Sequence, residues 1–75
     1  RGASLWVRRH YVASLGEIGS KEAIPALTRC LDDADAEVVR EAVSAFESIA
    51  GFSYAEGRDF GQQREAWRRW GTAQR

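Results

Sequence analysis

Apolar residues recur at helical spacing over the first fifty positions, and the pattern repeats after 31 residues. Sliding the chain by that distance sets VRRHYVASLGEIG (7–19) on VVREAVSAFESIA (38–50). Val7 meets Val38, Arg9 meets Arg40, Val12 meets Val43, Ser14 meets Ala45, Leu15 meets Phe46 and Ile18 meets Ile49. The matched positions follow the 3.6-residue period, so the repeated unit contains a helix. On a wheel, Val7, Tyr11, Leu15 and Ile18 share one side of the first helix, with Leu5 and Val12 at its margin. In the second copy Val38, Val39, Ala42, Val43, Ala45, Phe46, Ile49 and Ala50 fill just under half the circle, opposite Glu37, Arg40, Glu41 and Glu47. That is the pattern of an amphipathic helix with one wet face. Ser4 and Asp35 stand at equivalent places before the two helices, where a side-chain oxygen can cap the free N–H groups of the first turn.

Between the copies lies GSKEAIPALTRCLDD. Gly19 can take the positive φ that ends a helix, and Ser20 can cap the next one. Ala23, Ile24, Leu27, Cys30 and Leu31 form its apolar stripe, while Lys21, Glu22, Pro25, Arg29 and Asp32 point away. Pro25 near the helix start removes only an early hydrogen bond. One unit is therefore helix, tight turn, helix and a short acidic loop. Neither helix can bury its stripe alone, but stacked pairs can.

These residues resemble HEAT repeats of the short, phycobilisome-lyase type. The resemblance rests on Val7-Arg8, then Ser14-Leu15-Gly16-Glu17-Ile18-Gly19, then Ala23-Ile24-Pro25-Ala26-Leu27, then Asp32-Asp33-Ala34-Asp35, and it covers roughly residues 4 to 51. It implies an all-α fold: two stacked antiparallel helical hairpins, four helices of an α-solenoid. The expected organisation is one domain over 1–75, with repeat one about 4–33 and repeat two about 34–75.

After Gly51 the pattern fails. GFSYAEGRDFG replaces it, with three glycines and three aromatics. An irregular loop is expected over 51–58 and a final helix over 59–71, capped by Asp59 with Gln62 as its capping-box partner and ending near Gly71. Its wheel gathers Phe60, Ala66, Trp67, Trp70 and Ala73 on one arc, with Arg64, Glu65 and Arg68 opposite. Glu65 and Arg69 are spaced for a surface ion pair. The stretch REAWRRW (64–70) could stack nucleic-acid bases on its rings. The wheel instead turns Trp67 and Trp70 inward, in the second-helix slot of the second repeat, as a tryptophan-rich C-terminal cap.

Composition adds few chemical options. The chain has 75 residues, one cysteine, one histidine, no methionine and zero formal net charge. The missing methionine suggests a piece of a longer protein. The compartment stays open, because Cys30 alone cannot form an internal disulfide. Charge runs +3 over 1–30, −6 over 31–56 and +3 over 57–75. The resemblance brings to mind oxygenases that bind iron through His-Glu pairs, but His10 has no second histidine beside it. Neither a phosphate loop nor a nucleophile motif is present. No enzyme, metal or cofactor is therefore expected.

In HEAT solenoids the second helix of each repeat lines the concave surface where partners dock. Carried over, that implies an outward set of Lys21, Pro25, Arg29 and Asp32, with Arg64 and Arg68 from the last helix. The expected activity is a non-catalytic scaffold whose mildly basic groove takes an acidic protein or peptide. Phosphate-backbone binding by the same groove is a second reading, made less attractive by zero net charge. An accessory role for a chromophore lyase is a third, and solvated faces without a special partner are the plain alternative. Trp6 lies off the main stripe, where it either contacts an adjoining N-terminal repeat or is an exposed partner anchor.

Overall fold

The structure is a computed structural model that describes residues 5–74. The proposed Ser4 cap, the Arg1-Gly2-Ala3 stretch and the Leu5 side chain lie outside the described residues. The described chain is all-α: α1 (Leu5–Ile18), a 3₁₀ turn (Lys21–Ala23), α2 (Ile24–Cys30), α3 (Ala36–Ala50) and α4 (Phe60–Ala73). Gly19 at φ 65° reverses the chain after α1. Ser20 then accepts a hydrogen bond from the Glu22 N–H and starts the 3₁₀ turn. Pro25 sits in the first turn of α2, where its missing N–H leaves no gap in the ladder. Asp35 caps α3 by accepting from the Val38 N–H. Gly51, left-handed at φ 82°, ends α3 and donates its N–H to the Glu47 carbonyl.

The core is built from α1, α2 and α3. Val12, Ile24, Leu27, Leu31, Val38, Ala42 and Phe46 are almost wholly excluded from water. α1 and α3 run side by side in the same direction, since Gly16 lies against Ala45 while Arg8 and Arg9 reach Asp33 and Asp35 at the other end. A side chain at Gly16 would place its Cβ 2.9 Å from the Ala45 Cβ, so the two backbones approach as closely as small residues allow.

The stripe expected on α3 is the buried one. On α1 the expectation fails. Val7, Tyr11 and Ile18 are exposed at 56%, 51% and 66%, and the marginal Val12 is the residue that faces the core. Leu15 is half-buried against it. The small residues Ala13 and Gly16, rather than the large ones, mark the side on which α3 lies.

The last helix keeps its expected cap but differs in direction and length. Asp59 accepts from the Gln62 N–H at 2.8 Å, and the Gln62 side chain accepts from the Asp59 N–H at 2.9 Å. Along α2 the contacts of α4 run backwards. Asp32 meets Arg68, Thr28 lies against Gly71, and Lys21 and Glu22 share a hollow with Ala73 and Gln74. Along α3 they advance together, with Arg40 over the Phe60 ring and Phe46 against Trp67 and Trp70. So α1 and α2 form a simple antiparallel hairpin, whereas α4 runs antiparallel to α2 and in the sense of α3, not in the plain second-helix slot of a second hairpin.

The connecting segment explains this. A tight helical hairpin needs about two to five linking residues. Here Gly51 to Asp59 lie between α3 and α4, and nine extended residues can span roughly 30 Å. That exceeds the ~22 Å length of a 15-residue helix, so the chain can return to the start of α3 before α4 begins. Helix α4 also continues past Gly71 to Ala73. Gly71 is buried, not a terminator. Its missing side chain makes room for the Thr28 hydroxyl and the Phe46 ring edge.

That close approach yields a test by urea unfolding. Gly71→Ala should lower stability by about 1–3 kcal/mol through overpacking, despite the ~1 kcal/mol that alanine gains over glycine inside a helix. In a Thr28→Ala background the same change should be neutral or stabilising, because the Thr28 oxygen is gone.

Candidate functional site

The six residues expected to line a binding face all lie on the surface built by α2, its preceding turn and α4. Lys21, Pro25, Arg29 and Asp32 are exposed, whereas Arg64 and Arg68 are half-buried. A shallow cleft runs between the two helices, lined by Pro25, Thr28, Gly71, Thr72 and Gln74.

The charges on this face are partly paired. The Arg68 guanidinium lies 2.7 Å from an Asp32 carboxylate oxygen and 3.3 Å from Glu65. Glu65 thus engages Arg68, three residues on, where Arg69 was the expected partner. Hydrogen bonding from Arg68 holds the Asp32 carboxyl below its ordinary value, opposed by desolvation and aided by the charges of Arg68 and Arg64. The same hydrogen bond raises Arg68. Lys21 stands beside Glu22. Beyond the Asp32–Arg68 pair, the cationic groups of this face are Lys21, Arg29 and Arg64.

The acidic loop takes up the other flanking arginines. Arg8 donates from Nε to Asp33 at 2.9 Å, and Arg9 reaches Asp35 at 3.4 Å. Asp33 also accepts from the Asp35 N–H at 2.8 Å. Much of the basic–acidic–basic order of the sequence closes on itself, with arginines of both basic flanks paired to the acidic middle. The wet side of α3 keeps its acidic character, with Glu37 paired to Arg40 at 3.3 Å and Glu47 accepting from the Ser53 hydroxyl.

The aromatic residues of the last segment form one cluster. Trp67 is fully buried. It stacks on Phe46 at 5.2 Å between ring centroids and on Phe52 at 5.3 Å, while Tyr54 meets it edge-on at 4.8 Å. Trp70 is half-buried and edge-on to Trp67 at 5.4 Å. A base cannot stack on a ring covered on both faces, so Trp67 offers no nucleic-acid platform. Among the described residues, the buried Trp67 indole N–H and Arg64 Nε have no hydrogen-bond partner. Sequence reasoning missed that the loop itself supplies Phe52 and Tyr54 to this cluster. Their presence among loop glycines was the available signal.

The remaining chemistry is sparse. Burial pushes the Cys30 thiol above its ordinary value, helped by Asp33 and opposed by Arg29, which disfavours the reactive thiolate. His10 is exposed on α1. Among the described residues, no group of three or more histidine, cysteine, aspartate or glutamate side chains could hold a metal ion. No described helix is long and apolar enough to cross a membrane.

A family model described as HEAT repeats matches residues 2–51, two thirds of the chain. That description carries nothing of the lyase-type subdivision. Neither curated proteins nor solved structures gave a match.

Two measurements check this geometry. Trp67→Ala should cost roughly 3–5 kcal/mol, enough to unfold so small a domain. Acrylamide should quench Trp6, which is 77% exposed, and leave Trp67 largely untouched. The Asp32–Arg68 pair predicts a pH dependence. A carboxylate held below its ordinary value stabilises the fold fully above the unfolded value and loses that contribution as pH falls through the lowered one. The urea midpoints of the native chain and Asp32→Asn should therefore differ at neutral pH and converge in strong acid.

Proposed function

Because the chain belongs to the HEAT-repeat family, we propose that it acts as a non-catalytic scaffold that holds a partner protein or peptide on the surface shared by α2 and α4. HEAT repeats are generally protein-interaction scaffolds. The observation that supports this face is the gathering of Lys21, Pro25, Arg29 and Asp32 from one helical segment with Arg64 and Arg68 from another, beside the cleft of Pro25, Thr28 and Gly71. Helices braced by a packed core supply a surface that binds with little rearrangement, which spares the ordering cost of a flexible one. Arg29 and Arg64 give it a modest preference for carboxylates. Arg68 acts through Asp32 to fix the edge of the face more than to contact the partner.

The test is a selection from displayed acidic and neutral peptides against the intact chain. Peptides retained by the native protein should lose at least tenfold in affinity with Arg29→Glu and Arg64→Glu. They should keep it with Glu37→Lys or Glu41→Lys on the opposite face. Equal affinity across both pairs would remove the α2–α4 surface from consideration.

A further inference from the structure

The ion pair of Asp32 with Arg68 is lopsided. The Arg68 side chain is set into the side of α4 and is 30% exposed, whereas the Asp32 side chain is 64% exposed. Arg68 is also held from its own helix. Its Nε donates to Glu65 at 3.3 Å, while a terminal nitrogen reaches Asp32 at 2.7 Å. A guanidinium carries five N–H donors in a fixed fork, so Arg68 keeps its aim when the bond to Asp32 is withdrawn. Asp32 has no second hold: among the described residues, Arg68 is the one group paired with its carboxylate. Its backbone N–H donates to the Arg29 carbonyl at 3.1 Å, just past the end of α2. A carboxylate there meets the negative end of the helix and gains nothing from it.

Arg64 lies one turn before Arg68 on α4, where side chains four residues apart are neighbours. Among the described residues its buried Nε has no acceptor, and its charge acts on the Asp32 carboxyl. Two guanidinium groups thus bear on one loosely kept carboxylate. The place is also the end of a cleft. Asp32 meets Arg68, and one turn further along both segments Thr28 lies against Gly71, beside Pro25 and Thr72.

We propose that Arg64 and Arg68 form a subsite for an acidic side chain of the partner peptide, with Asp32 as a resident ligand that the peptide displaces. The proposal rests on the scaffold reading and adds the chemistry of one subsite to it. In the free chain Arg68, engaged by Asp32, fixes the edge of the face, and the exchange hands it to the peptide. One carboxylate–guanidinium contact is lost and one is made, so the exchange itself is nearly balanced. The gain comes from Arg64, which acquires an acceptor, and from the residues of the peptide that lie along the cleft. Asp32 therefore acts as an internal competitor. It weakens every acidic ligand alike and leaves bound only those that also fit the cleft.

The probe is a tetraglutamate peptide blocked at both ends, titrated against the intact chain. Asp32→Asn should tighten its binding about three- to fivefold, near the upper end of what an exposed ion pair supplies. Asp32→Ser should do the same with a different neutral side chain. Adding Arg68→Gln to Asp32→Asn should cancel the gain. Glu22→Gln removes the same charge from the same face without touching Arg68, and should change affinity by less than about twofold. On the native chain, saturation with the peptide should shift the NMR signal of the Asp32 carboxyl carbon, which needs no variant to fold. The proposal is overturned if that signal stays fixed, if neither Asp32 variant binds more tightly than the native chain, or if Glu22→Gln gains as much. It is also overturned if single-stranded DNA of equal charge gains as much as the peptide from Asp32→Asn, which would make the subsite one for phosphates. Failure of the scaffold reading looks different: selected peptides then ignore Arg29→Glu and Arg64→Glu, whatever the Asp32 variants do.

Discussion

The stack of Trp67 between Phe46 and Phe52 is the contact on which the rest of the molecule depends. Phe46 is the innermost large residue of α3, and without a ring over it the α2–α3 edge of the core would lie in water. Covering it takes a helix that comes very close, so Gly71 replaces a side chain where α4 passes Thr28 and Phe46. It also takes a linker long enough to wrap the far side of Trp67, which Phe52 and Tyr54 do. The reversed course of α4 follows from that linker. The burial has a cost, because the indole N–H is left without a partner and an unpaired buried donor costs roughly 1–3 kcal/mol. Ring stacking and the large area of a buried tryptophan offset it.

Charge plays a quieter part in the same closure. The acidic loop between α2 and α3 sits where three arginines from distant parts of the chain can reach it: Arg8 and Arg9 from α1, and Arg68 from α4. Exposed pairs of this kind contribute about 0–1 kcal/mol each. Their main effect is on register. Asp33 and Asp35 hold the start of α1 over the start of α3, and Asp32 fixes one end of the α4 crossing. Asp35 serves twice, as the α3 cap and as the Arg9 partner. An acidic block in the middle of a neutral chain thus becomes the shared counter-charge of its two basic ends.

The legible parts of the fold were those with one apolar face. On α3 every residue of the expected stripe is buried or half-buried, because its other side is charged and leaves no choice. Helix α1 has apolar residues on two sides, and a wheel cannot say which side meets the core. The large residues pointed one way, while Gly16 and Ala13 marked the true contact by being small. The inward turn of Trp67 was readable from its arc, but a wheel has no information about chain direction, so the course of α4 was not. In the same way, the resemblance placed Arg64 and Arg68 with the α2 residues on one face. It could not show that Asp32 would bind Arg68, since that pair depends on how two helices cross.

The two ends of this stack are consequently unequal. At one end the ring of Phe46 is closed off by α4, whose outer side carries the exposed Glu65 and Arg69. At the other, α1 presents Trp6, Val7, Tyr11 and Ile18 to solvent, with the Arg9 guanidinium 5.7 Å over the Trp6 ring. In a stacked array each unit is stabilised by its own packing and by the neighbour it touches. A closed end gains nothing from a neighbour, and an open apolar end gains about 25 cal/mol for each Å² it buries. The stability of the α1 edge therefore depends on what lies against it, while the α4 edge is set by the chain itself. A domain this small has little stability to spare. That difference makes α1 the element most sensitive to its surroundings and leaves the α2–α4 side, anchored by Trp67, less dependent on them.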